Sequence, residues 1–221
     1  MVGGDHAGHN GDDPAYSGPS FLWEKRLWNS GYSYIAGVDE AGRGALAGPV
    51  VAAAVILSPQ QLINGLNDSK KLTANNRDRL YGEIMHRSLA VGVGISSNRE
   101  IDTLNIWGAT CLAAQRALAR IHVPVQYVLM DGSLRVKGLR IPQSPLPKGD
   151  AISSSIAAAS IVAKVRRDRI MNYLDKLYPL FRFDLHVGYG TRLHRSRIQE
   201  YGPCIQHRHT FEPISQLKLW D

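Results

Sequence analysis

Apolar residues gather into short β-branched runs, separated by longer stretches with helical spacing. Three runs come first, at 34–38, 50–57 and 89–96. Each is bounded by turn formers, and all three predict strands. A helix over 73–87 separates the second from the third, with Thr73 at its N-cap. Alanines and leucines at helical spacing predict another helix over 104–121. Val125–Met130 reads as a buried strand ending at Asp131-Gly132, and the three prolines of 139–148 predict an extended strand and loop. A long helix is expected to begin just after Asp150 and run to 177, its Ala157-Ala158-Ala159 packing closely on a sheet. A glycine-rich link at 188–190 and a short helix near 194–201 precede a basic end.

Before the first strand, 21–30 is expected to form a short amphipathic helix that packs Leu22, Trp23 and Leu27 on the body. Residues 1–20 have almost nothing to bury and read as a flexible tail, leaving Asp5, Asp12 and Asp13 to solvent. Strands followed by alternating strands and helices predict an α/β fold, a mixed β-sheet flanked by helices. One domain over 21–221, with a helical C-terminal portion, accommodates every element.

Composition narrows the partners. The chain has 221 residues, a net charge of +7 and a pI near 9.5, which favours polyanions without separating DNA, RNA and acidic lipid. The longest apolar run, 50–57, is too short to span a membrane. The N-terminal stretch lacks a signal-peptide pattern. Cys111 and Cys204 lie far apart without a metal or disulfide spacing, so a reducing cytoplasm is expected. No coiled coil or spare apolar face stands out, and a monomer is expected.

The candidate chemistry lies where strands end. Asp39 and Glu40 close the first strand ahead of Gly42-Arg43-Gly44, Asp131 closes the central one, and Asp150 opens the long helix. Phosphodiester hydrolysis by two divalent ions needs such converging carboxylates, because hard cations prefer oxygen ligands. Each acid also has a structural reading: Asp150 as a helix cap, Asp131-Gly132 as a turn, Asp39-Glu40 as an exposed edge. Adjacent strand residues point to opposite faces, so Asp39 and Glu40 can share a centre only if the strand ends or bulges there.

Asp68-Ser69-Lys70-Lys71 offers a phosphate clamp or a solvated loop. Tyr189, between Gly188 and Gly190, is placed to stack on a sugar or base, or to cover an apolar edge. Lys164, Arg166, Arg167 and Arg169 are expected to form a basic helix face or to pair with Asp168 and Asp175. Arg192, Arg195, Arg197 and Arg208 suit sequence-independent contacts to a nucleic-acid backbone. His186, His194, His207 and His209 invite zinc, but no Cys-rich spacing or His-Glu-x-x-His supports it. Surface or phosphate-contacting histidines are expected instead.

Taken together, GVDEAGRG (37–44), GPVVAAAV (48–55), DSKKL (68–72), IDTLNIWGAT (101–110), Asp131-Gly132, KGD (148–150), SIAAASIVAKVRRD (155–168), HVGYGT (186–191) and HRHTF (207–211) resemble the ribonuclease HII (type 2 ribonuclease H) family. The resemblance implies a ribonuclease H-like fold and endonucleolytic cleavage of RNA in RNA–DNA hybrids and at single ribonucleotides in duplex DNA. It implies Mg²⁺ or Mn²⁺ held by Asp39, Glu40, Asp131 and Asp150. It also implies that Gly42, Arg43 and Gly44 sense the ribose 2′-hydroxyl, that Ser69, Lys70 and Lys71 bind substrate, and that Tyr189 stacks on the following sugar. Val187 stands where the family often has lysine, and HRHTF replaces a more usual HRxSF. The sizeable N-terminal domain of the related type 3 enzymes has no counterpart in so short and polar a tail. Two other readings compete: a resolvase- or integrase-type nuclease of the same fold, and a non-catalytic hybrid binder whose acids serve as caps and turns.

Overall fold

The computed structural model describes residues 18–217, so most of the tail reading lies outside the described residues. Five strands form one sheet: β1 (Ile35–Ala41), β2 (Val50–Ile56), β3 (Ala90–Ser96), β4 (Tyr127–Asp131) and β5 (Gln143–Leu146). Their order is β3-β2-β1-β4-β5. The β1–β2 and β2–β3 pairs are antiparallel, and β1–β4 and β4–β5 are parallel. Pro145 lies in β5, an edge strand, where a missing N–H is tolerated.

Among the described residues seven α-helices surround the sheet: α1 (Leu22–Asn29), α2 (Ala74–Arg87), α3 (Asn98–Ala119), α4 (Gly149–Ile152), α5 (Ser154–Leu177), α6 (Phe183–His186) and α7 (Arg192–Tyr201). Alternation along β1 sorts the two faces. Ala36 and Val38 pack with Ile101, Ala109 and Ala113 of α3. Ile35 packs with Ile156 of α5, and a Cβ on Gly37 would lie 2.2 Å from the Ser155 carbonyl carbon. Glycine at 37 therefore lets α5 lie directly on the central strand.

Local chemistry sets several boundaries. The Thr73 hydroxyl accepts the Asn76 amide, capping α2 as expected. The third helix begins six residues ahead of the sequence expectation, because Ser97 and Glu100 form a capping box. The long helix expected after Asp150 is two helices. Lys148 in a left-handed conformation opens α4, and Ser153 ends α4 and caps α5. Asp150 is thus inside α4 and is not the cap.

Residues 18–20, assigned to the tail from sequence, are tied down. Ser20 donates to the Ile152 carbonyl, and its own carbonyl accepts from Ser154. The neighbouring Glu24, 1% exposed, accepts from the Ser153 and Ser155 hydroxyls and the Ser155 amide. A carboxylate there favours the N-terminus of α5, where orphan amides and the helix dipole converge.

Gly37→Ala is expected to lower unfolding free energy by about 1–3 kcal/mol or more, since the new methyl meets backbone that cannot rotate away. Urea denaturation of the variant measures it.

Candidate active site

Asp39, Glu40, Asp131 and Asp150 meet at one end of the sheet. The first strand does not end at the acids, contrary to expectation. It continues to Ala41, with Asp39 opposite Ala53 and Glu40 opposite Ala52 on β2. On the other side its pairing with β4 stops at Val38–Met130. Both acids therefore lie just past the end of the parallel ladder, beside Asp131. By alternation Asp39 points to the α5 face and Glu40 to the α3 face. The pair straddles the sheet end without a bulge.

Electrostatics bind the four into one group. Burial, then Glu40 and Asp131, hold Asp39 well above the usual carboxylate range; Ser160 and the Glu40 amide act the other way. Burial also raises Glu40; Arg43 opposes this and Asp131 adds to it. Asp150 is raised by burial and then by Asp131 and Asp68. Asp131 is the neighbour common to all three, and its Oδ1 accepts the Asp150 amide at 3.4 Å. Burial works against the charge of Lys70, yet Asp68, Asp39, Asp150 and Asp131 together raise its ammonium above the ordinary value.

Among the described residues no three His, Cys, Asp or Glu side chains close into a ready-made ligand cage. The donor set nevertheless fits a hard divalent cation. It is all oxygen, with Asp39 and Asp150 carrying burial and an excess of negative neighbours, and Glu40 burial, that a dication relieves.

Around the acids the substrate candidates separate. Lys70 and Lys71 are exposed. Ser69 is buried, its hydroxyl 3.0 Å from that of Ser160 on α5. The Arg43 Nη1 donates to Glu40 Oε1 at 3.0 Å, and its guanidinium lies 4.3 Å from the Trp107 ring centre. Ala45 bridges to Tyr189, and Leu46 donates to the Gly188 carbonyl, so the Gly-Arg-Gly turn and the tyrosine loop are joined. Tyr189 is exposed beside a surface groove lined by Gly190, Arg192, Arg195, Ser196 and Gln199.

Arg208, expected to meet a nucleic-acid backbone, and Arg167, expected on a basic helix face or in a pair with Asp168 or Asp175, do something else. Arg167 and Arg208 are 0% exposed. Arg167 donates to the carbonyls of Pro49, Val187 and Ala47. Arg208 donates to those of Gly48, Arg43 and Gly42. Burial, and then Arg167, lower Arg208 to about 9, so it stays charged at neutral pH. One signal was available for Arg167: four residues from Ala163 and from Met171, it lies on the buried stripe of α5. Elsewhere on that helix Lys164 pairs with Asp168, and Arg169 with Asp78.

Three histidines are likewise internal, correcting the surface expectation. The His207 Nδ1 accepts the Cys204 amide at 2.9 Å, leaving its proton on Nε2, which faces His194 Nε2 at 3.1 Å. His194 keeps its proton on Nδ1, toward the Tyr189 carbonyl. His186 accepts the Gly188 amide and donates to Phe181. Every ring nitrogen of the three is engaged, which leaves none for zinc. Burial pushes His194 and His207 down to about 4, helped by His186 and His194 respectively.

The departures from the family pattern also have places. Thr210 donates through its hydroxyl to Asp102, whose carboxylate also accepts the His209 and Thr210 amides. Val187, with φ 43°, holds a left-handed conformation costly for a β-branched residue, with its carbonyl on Arg167.

The family model of ribonuclease HII matches residues 36–214. The chain belongs to the ribonuclease HII family. It is 50% identical to ribonuclease HII of Syntrophotalea carbinolica over 194 residues, 88% of this chain and 92% of that protein. Its fold is similar to that of ribonuclease H2 from Pyrococcus horikoshii OT3, with a TM-score of 0.71 and 25% identity, covering 83% of this chain and 96% of that one. Bst-RNase HIII in complex with Mn²⁺ is similar in fold at a TM-score of 0.65 and 20% identity, covering 83% and 68%. The chain is therefore a ribonuclease H endonuclease of a metal-dependent family, which sets aside the resolvase-type and non-catalytic readings. No helix among the described residues is long and apolar enough to cross a membrane.

The buried histidines make stability depend on acid. Their folded pKa values lie below the ordinary 6.5, so their contribution is complete above pH 6.5 and is lost as pH falls toward 4. Each proton taken up on unfolding tilts stability by about 1.4 kcal/mol per pH unit. Unfolding free energy measured from pH 7 to 4 is expected to fall steeply, and less steeply in His194→Gln.

Proposed function

We propose that this ribonuclease H cuts the RNA strand of RNA–DNA hybrids and cuts 5′ to single ribonucleotides embedded in duplex DNA, with Asp39, Glu40, Asp131 and Asp150 holding Mg²⁺ or Mn²⁺. The observation that carries the reading is the convergence of these four acids, from two strands and a helix, on one end of the sheet. Bound there, divalent cations supply Lewis acidity to the attacking water and to the leaving 3′-oxygen.

The protein's own groups do the rest. Asp131, adjoining the other three acids, holds the set together. Lys70 and Lys71 reach the phosphates, while Ser69 works from inside by orienting Ser160 beside Asp39. Gly42-Arg43-Gly44 senses the ribose, because the 2′-hydroxyl is what distinguishes RNA from DNA at one nucleotide. Tyr189 stacks on the next sugar, and the groove with Arg192 and Arg195 continues the path of the strand without reading its sequence. Products carry a 3′-hydroxyl upstream and a 5′-phosphate on the ribonucleotide. The two free cysteines and a nucleic-acid substrate favour the cytoplasm, acting as a monomer.

A DNA duplex with one ribonucleotide, incubated with and without Mg²⁺, tests the reading. Metal-dependent cutting 5′ to the ribonucleotide supports it, and absence of cutting there refutes it. Asp131→Asn is expected to lower turnover by more than about 100-fold while duplex binding survives. Near-wild-type cleavage would remove Asp131 from the site. Tyr189→Ala is expected to impair cleavage at a single ribonucleotide more than cleavage of a long hybrid. Equal losses on the two substrates would count against junction sensing.

A further inference from the structure

Trp107 is 49% exposed, although an indole has more to gain from burial than most side chains. Its placement is built. Asn105, in the middle of α3, has φ 56° and ψ 173°, a conformation that only glycine adopts without cost. The side-chain carbonyl of Asn105 accepts the amides of Trp107 at 3.0 Å and Gly108 at 3.2 Å. The helix thus restarts there, with its own cap, and Trp107 occupies the first turn of the new segment.

That turn sets the indole face against the Arg43 guanidinium, 4.3 Å from the ring centre. Among the described residues the guanidinium has one polar partner, Glu40, on the α3 side of the sheet end. A long side chain anchored to one carboxylate follows that carboxylate. Held also by a ring, it keeps its plane when Glu40 is engaged elsewhere, because the attraction of a cation to a ring face needs no counter-charge.

We propose that Trp107 is a positioning residue for Arg43, fixing the guanidinium at the mouth of the acidic group so that its free donors meet the ribose-phosphate unit beside the scissile bond. The proposal rests on the reading of Gly42-Arg43-Gly44 as a substrate contact. Asn105 serves it by presenting Trp107 at the correct height on α3. No bond is made or broken by the indole.

The test is a mutant cycle on a duplex with one ribonucleotide, with Mg²⁺, measuring kcat and KM separately and the unfolding midpoint of each variant. Trp107→Leu keeps apolar bulk without a ring face, and Trp107→Phe keeps a face. Trp107→Leu is expected to raise KM about 2- to 5-fold with kcat and the midpoint nearly unchanged, and Trp107→Phe to recover most of the loss. In an Arg43→Ala background, itself impaired, Trp107→Leu is expected to change nothing further. A Trp107→Leu enzyme that behaves as wild type while Arg43→Ala is impaired overturns the positioning role and leaves the substrate reading intact. An equal loss in the Arg43→Ala background also overturns it, because Trp107 would then act on its own. Unimpaired Arg43→Ala removes the substrate reading and the proposal with it.

Discussion

Everything around the acidic group depends on irregular backbone that must be buried and still hydrogen-bonded. Residues 42–49 leave β1, cross the end of the sheet and return as β2, with carbonyls that no ladder serves. A buried carbonyl without a partner is strongly disfavoured. Two guanidinium groups supply the partners. Arg167 and Arg208 direct fixed forks of N–H donors at six carbonyls of 42–49 and the tyrosine loop: Pro49, Val187, Ala47, Gly48, Arg43 and Gly42. Lysine has neither the donors nor the planarity for this. Gly42 completes the fit, since a Cβ there would lie 1.9 Å from Arg167 Nε. The turn beside the acids and the loop carrying Tyr189 thereby become one rigid piece.

The acids show the opposite economy. Burial and negative neighbours act against the ionisation of Asp39, Glu40 and Asp150, and Lys70 opposes this at Glu40 and Asp150. The packing of α5 on β1 and the α4–α5 junction keep them together. Such a group weakens the fold and favours a bound dication, the trade that functional sites commonly make against stability.

Apolar periodicity made the sheet legible. All five strands were placed within a few residues, because runs such as Val50–Ile56 have no other means of burial. The acids were legible for the same reason: a carboxylate closing an apolar strand is conspicuous. What escaped were polar groups buried on backbone partners. Arg208 and the His186–His194–His207 network have no hydrophobic signature, since carbonyls and amides at other positions satisfy them, and Arg167 has only its place on the buried stripe of α5. The break at Ser153 escaped too, because a side-chain cap inside a continuous helical pattern leaves its spacing unchanged, and so did the helical stretch 98–104 ahead of the restart at Asn105.

Strand order has a consequence for how the protein is made. Residues 35–38 of β1 pair in parallel with 127–130, and Glu24 of α1 closes on Ser153 and Ser155. Helix α1 and strand β1 therefore wait for segments synthesised much later. Long-range parallel pairing is among the slow steps of folding. Asp39 and Glu40 are present early but have no companions until β4 and α4 dock. A chain cut short of Asp131 thus carries Asp39 and Glu40 without the two acids that complete the group.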